Sequence, residues 1–80
     1  MNTVTQKIHD FVKERFEIGD DPDFSLDVHL FDSGFVDSLG AMEIVAYIEQ
    51  EFGIQITQRD ITLYAMNTIN EISDVVSGKL

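Results

Sequence analysis

Eighty residues, 44% of them hydrophobic, suffice for one compact domain, although a chain this short buries only about 60–65% of its unfolded surface and is expected to be modestly stable. Fifteen acidic against five basic residues give a formal charge of −10, which repels nucleic-acid phosphates and anionic lipid and points to basic protein partners. With no cysteine the chain has no disulfide, no thiolate metal site and no thiol nucleophile of its own, so any thiol chemistry must be imported. No stretch approaches the roughly 18 apolar residues of a membrane span, and Met1 to Asp10 lacks a basic region followed by an apolar run. No membrane insertion and a cytoplasmic location are therefore expected.

In chain order, Val4, Ile8, Phe11, Val12 and Phe16 recur at helical spacing and predict a first helix over Thr3–Glu17. Gly19, Asp20, Asp21 and Pro22 break it and open a connection of about twenty residues that reaches Asp37, long for so small a domain. Phe24, Leu26, Val28, Leu30, Phe31, Phe35 and Val36 are the residues available to pin that connection over the core. The alternation of Phe24, Leu26, Val28 and Leu30 also fits a strand, but no second strand is on offer to pair with it, and a loop is predicted. Asp37 is a helix cap, and Ser38 to Phe52 contains no breaker except Gly40 before Gly53, which predicts a second helix about 22 Å long. Thr57 caps a short helix over Gln58–Leu63. Asn67 or Thr68 caps a last helix with the apolar face Ile69, Ile72, Val75 and Val76, ended by Gly78. The predicted architecture is all-α, a four-helix bundle of three main helices and one short one, with a long loop between helices one and two, in a single domain over residues 1–80.

The second helix has more apolar residues than one buried face requires. Wound at about 100° per residue, they divide into two stripes. Ala41, Ile44, Val45, Ile48 and Phe52 form one, facing the other helices. Leu39, Met42 and Ala46 lie nearly opposite, bordered by Glu43, Glu49 and Gln50. That second stripe either docks a partner helix or is covered by the long loop.

Ser38 stands at the mouth of this helix. Unpaired N–H groups and the positive end of the helix dipole favour an anion in the first turn by about 0.3–1 kcal/mol, so a phosphodiester on Ser38 would be well placed. A serine before a helix is ordinarily just its cap, but Asp37 can perform that task and leave the serine hydroxyl available. The other Asp-Ser pair, Asp32-Ser33, is followed by Gly34 and Phe35 and reads as a turn. Ser25 falls in the loop, and Ser73 and Ser77 on the last helix.

Asp37-Ser38-Leu39, followed by a helix ending Glu49-Gln50-Glu51-Phe52-Gly53-Ile54, resembles the prosthetic-group site of free-standing acyl and peptidyl carrier proteins. The likeness is detailed from Leu30 to Ile56 and extends over the chain in helix order, length and acidity. It implies that a phosphopantetheinyl transferase moves 4′-phosphopantetheine from coenzyme A onto Ser38. The thiol of that arm then holds an acyl or aminoacyl group as a thioester. It implies that the chain catalyses nothing and serves a loading enzyme and downstream synthases or transferases. It also implies partner contacts at Asp37, Leu39, Met42, Glu43, Ala46 and Glu49. Gly40 departs from fatty-acid-synthesis carriers, which usually have an acidic residue there. Leu30-Phe31-Asp32-Ser33-Gly34-Phe35-Val36 is more similar to carriers of polyketide and non-ribosomal peptide pathways and to D-alanyl carriers of cell-wall modification, with the former preferred.

Three other readings compete. Asp21, Asp23, Ser25 and Asp27 recur as calcium ligands do, but Leu26 replaces the glycine and Asp32 the glutamate of such a loop, and Pro22 disturbs its start; no metal is expected. His9 and His29 lack the serine or cysteine motif of a hydrolase. An unmodified acidic adapter would keep the outer stripe and make Ser38 dispensable. The stripe is small for a stable homodimer, so a monomer is expected.

Overall fold

Each helix of the computed structural model, which describes residues 2–80, begins on a side-chain oxygen that accepts a backbone N–H of the first turn. Asn2 receives Thr5 N–H (2.8 Å) at the head of α1 (Thr3–Arg15), and Asp37 receives Gly40 N–H (2.7 Å) at the head of α2 (Ser38–Phe52). Thr57 and Asp60 form a reciprocal capping box on α3 (Gln58–Leu63), as Thr68 and Glu71 do on α4 (Ile69–Lys79). Thr68, rather than Asn67, is thus the last cap. The described residues are all helix and loop, a four-helix bundle with one short member.

The core is built from β-branched residues and one leucine: Ile8 and Val12 of α1, Leu30 and Val36 of the long loop, Ile44 and Ile48 of α2, Ile56, and Ile69, Ile72 and Val76 of α4. Burying each such side chain contributes about 1.5–3 kcal/mol before conformational entropy is subtracted. Between α1 and α4 the buried hydroxyls of Thr5 and Ser73 share a 2.6 Å hydrogen bond, so neither is left unpaired in the apolar interior.

The long loop lies over this core as its apolar residues require. Phe24, Leu26, Val28, Phe31 and Phe35 are half-buried against the core, and Leu30 and Val36 are within it. The alternation of Phe24, Leu26, Val28 and Leu30 therefore records burial on one side without a strand. The backbone groups pair with the head of α4: Asn70 N–H donates to the Leu26 carbonyl (3.1 Å), and Leu30 N–H to that of Asn67 (2.9 Å). Asp27 accepts a further bond from the Asn70 side chain, at 2.6 Å, and Asp21 accepts the Asp23 N–H, at 2.9 Å.

Two helix ends differ from the sequence expectation. The first helix stops at Arg15 rather than Glu17, because Glu17 turns left-handed (φ 53°). Ile18 N–H then reaches back to the Lys13 carbonyl and Glu17 N–H to that of Glu14, a Schellman ending that folds Ile18 onto the core. The last helix does not end at Gly78 but continues to Lys79, whose ammonium lies 2.8 Å from the Asp60 carboxylate on α3. That ion pair joins the shortest helix to the end of the chain.

Gly40 is buried in the first turn of α2. A Cβ there would stand 2.7 Å from Phe16 Cε1 and 2.7 Å from Val36 Cγ1, inside any normal contact. The absent side chain lets the end of α1 and the end of the loop close against the start of α2. Gly53, by contrast, serves as the left-handed cap that ends α2 (φ 64°).

Two stability predictions follow from these contacts. Gly40→Ala should cost about 1–3 kcal/mol through overpacking, visible as a fall in melting temperature of roughly 4–8 °C per kcal/mol; an unchanged melting temperature would contradict the close approach. The Lys79 ammonium and the Thr57 backbone amide hold the Asp60 carboxyl at about 2, below its ordinary 3.8. Its folded-state pKa is depressed, so its stabilisation is present above pH 3.8 and is lost as pH falls through about 2. In denaturant titrations, the stability gap between wild type and Asp60→Asn should narrow across that window.

Candidate functional site

The start of α2 is held from both ends of Asp37. Its carboxylate takes the Gly40 N–H and its carbonyl the Ala41 N–H (2.9 Å), so the capping task falls to Asp37 and not to the serine that follows. Ser38 is the first residue of α2 and is exposed. At this position its backbone N–H belongs to the set that has no intrahelical acceptor, and the local field favours negative charge. The other serines lack this setting. Ser33 N–H and hydroxyl are turned to the carbonyls of His29 and Leu30 within a turn, and Ser73 is buried against Thr5.

The two stripes of α2 separate as the helical winding predicts. Ile44 and Ile48 are buried, with Ala41, Val45 and Phe52 half-buried beside them. On the opposite side Leu39 is 72% and Met42 70% exposed, and Ala46 is exposed as well, so the long loop does not cover them. The loop instead comes in beside this stripe and makes the wall of an open groove of about 640 Å³, lined by Arg15, Phe16, Phe35, Asp37, Leu39, Met42 and Glu43 among others. On the other flank of α2, a narrower apolar cleft of about 280 Å³ opens towards α3, between Ile44, Val45, Ile61, Tyr64, Met66 and Ile72. Ser38 thus heads a helix with an open groove along one flank and an apolar cleft along the other.

The acidic border is more engaged than its pattern suggests. Glu43 is ion-paired with Arg15 at the end of α1, and both side chains remain about half exposed. Glu49 accepts the Ile56 N–H (2.9 Å), fastening the segment after α2 back onto the helix. Gln50 is exposed. Glu43 and Glu49 therefore lie beside the apolar stripe, each with an intramolecular partner. Of the residues singled out from sequence, Ser38, Leu39, Met42, Glu43 and Ala46 share one side of α2, which Asp37 caps, and Glu49 lies further along that side, beside Met42 and Ala46, where it also holds a turn.

Sequence reasoning did not find Arg15, Phe16 and Phe35 in the groove. Arg15 and Phe16 lie more than twenty residues before Ser38, and the packing of Phe16 under Gly40 brings them to the helix mouth; Phe35 arrives there at the end of the loop. The unusual glycine directly after Asp-Ser-Leu was the available signal that something approaches there closely. His9 packs at a tilt against Phe24, with ring centroids 5.3 Å apart, and His29 accepts the Asp32 N–H, at 3.1 Å, so both histidines have structural contacts.

The donor set suits a phosphopantetheine group: an exposed hydroxyl at a helix N-terminus for a phosphodiester, open space beside it for an arm, and no cysteine on the chain to duplicate the arm's thiol. Comparison with known proteins agrees. A family profile described as "Phosphopantetheine attachment site" matches residues 6–76. An acyl carrier protein of Cyanophora paradoxa is 34% identical over 73 residues, which cover 91% of this chain and 68% of that relative. No solved structure gives a significant match. With its four-helix architecture and a match along nearly its whole length, the chain belongs to the phosphopantetheine-binding acyl carrier protein family, whose cofactor is covalently attached 4′-phosphopantetheine.

Proposed function

We propose that Ser38 is the attachment residue and that the chain works as one non-catalytic carrier domain over residues 1–80. The observation that carries this reading is the Asp37 cap: the aspartate takes the Gly40 N–H, and Ser38 is left exposed at the first position of α2. A partner transferase deprotonates the Ser38 hydroxyl, whose oxygen attacks the β-phosphorus of coenzyme A; 3′,5′-ADP leaves and a phosphodiester to Ser38 remains. Once attached, the group supplies the thiol on which an acyl or aminoacyl cargo is held as a thioester. The chain's own residues position and present. Asp37 fixes the first turn, the N–H groups of that turn favour the phosphodiester charge, and Leu39, Met42 and Ala46 offer an apolar strip to the enzyme that docks.

Partners on this reading are the transferase, a loading enzyme and downstream synthases or transferases, all meeting the acidic, apolar-striped side of α2 at Asp37, Leu39, Met42, Glu43, Ala46 and Glu49. Among the described residues no helix is long and apolar enough to cross a membrane. A cytoplasmic monomer remains part of this proposal, carried by the charge balance and the small size of the apolar stripe. For the pathway we favour polyketide or non-ribosomal peptide biosynthesis over fatty-acid synthesis, with D-alanyl transfer as the alternative. Gly40 has a packing role of its own against Phe16 and Val36, so this preference rests on the Leu30–Val36 segment.

Intact-mass spectrometry after incubation with coenzyme A and a promiscuous phosphopantetheinyl transferase tests the assignment. One phosphopantetheine on wild type and none on Ser38→Ala is the expected result. A folded wild type that stays unmodified beside a labelled control carrier would favour the unmodified adapter. Encounters steered by net charge should also weaken as salt rises, measured as an increasing KM of the transferase for the carrier.

A further inference from the structure

Arg15 is the one basic residue among those lining the groove beside the α2 mouth, in a chain with a net charge of −10. It stands in the last turn of α1, with its guanidinium 5.3 Å from the centroid of the Phe16 ring and paired with Glu43. Phe16 is itself fixed beneath Gly40, so the base of this arginine is held against the first turn of α2. Glu43 directly follows Met42, one of the two highly exposed apolar residues of the stripe. A basic side chain of a docking enzyme that seeks Glu43 therefore finds it already neutralised by the carrier's own cation.

We infer that Arg15 is an internal competitor for the cationic residue of a partner enzyme, occupying Glu43 in the free carrier and setting how tightly an enzyme docks beside Ser38. The inference rests on the proposed role of Ser38 and names a control on that same surface. The partner is an enzyme that presents a lysine or arginine next to an apolar contact for Leu39 and Met42. In the free carrier the Arg15–Glu43 pair is about half exposed, so it is weak enough to be exchanged. Exchanging one exposed ion pair for another shifts an equilibrium by up to about fivefold, a range that favours brief docking over firm binding. Arg15 is a positioning residue here: it acts through the Glu43 carboxylate.

Steady-state phosphopantetheinylation by a transferase at low ionic strength tests this with Arg15→Gln, Arg15→Lys, Glu43→Gln and the Arg15→Gln/Glu43→Gln double variant. Thermal melting and circular dichroism first establish that each is folded. Arg15→Gln should lower the KM for the carrier about two- to fivefold with kcat unchanged, and Arg15→Lys should restore the wild-type value. Glu43→Gln should raise KM, and Arg15→Gln should have no further effect in that background. A higher KM in Arg15→Gln would overturn the proposal by giving Arg15 a contact of its own with the enzyme or with coenzyme A. An unchanged KM, or the same gain with Glu43 already neutralised, would overturn it as well, the latter reducing Arg15 to net charge. A folded wild type that is not modified at all would instead remove the assignment of Ser38, and this proposal with it; binding and modification of the control carrier in the same assay distinguish that outcome.

Discussion

The bond from Gly40 N–H to the Asp37 carboxylate, at 2.7 Å, is the contact on which the site depends. A cap of this type stabilises a helix by about 0.5–2 kcal/mol, but its larger consequence here is positional. It fixes α2 to begin at Ser38, so the serine falls in the first turn with its hydroxyl at the surface and the unpaired N–H groups of that turn beside it. Everything on the outer side of α2 is then in register: Leu39 and Met42 expose their apolar side chains one and four residues on, and Glu43 comes opposite the end of α1. A start one residue later would rotate that stripe by about 100° and direct it elsewhere.

The loop preceding α2 serves the same end by a different route. A connection this long would ordinarily be a source of motion, but its apolar residues are spent on the core and its backbone is tied to the head of α4 through Leu26 and Leu30. The far end of the molecule has a matching tie, from Asp60 on α3 to Lys79 on α4. The two ends of α2 are thus bounded by segments fastened to the same last helix. Between those fastenings, α3 leaves Ile61 and Leu63 substantially exposed, as is Tyr64 directly after it, a short element with little core of its own beside the apolar cleft.

Much of this was legible in the sequence because it is encoded locally. Helical spacing, the caps Asp37 and Thr57 and the glycine after Phe52 place α2 and α3 to the residue, and the two-stripe winding of α2 separates buried Ile44 and Ile48 from exposed Leu39 and Met42. Where local rules failed, a distant contact prevailed. Gly78 reads as a stop, yet Lys79 continues the helix because Asp60 awaits it on α3. Glu17 reads as helical, yet Ile18 is drawn to the core and forces the turn. Glu43 and Glu49 read as a free acidic border, but their partners, Arg15 and the Ile56 amide, come from elsewhere in the fold. A period of 3.6 residues reveals which side of a helix is wet; it does not reveal what arrives there.

The missing side chain at position 40 also constrains how this sequence can change. Phe16 and Val36 lie in the space that any other residue at 40 would need, although the three positions are far apart in the chain. An acidic residue after Asp-Ser-Leu would meet the same two side chains, and with a longer side chain than alanine. Phe16 or Val36 must move aside or become smaller to admit it, and a smaller residue at either position with glycine kept at 40 would open a void next to the first turn of α2. Positions 16, 36 and 40 are consequently coupled, so that what the glycine position can hold is decided by two residues outside its helix.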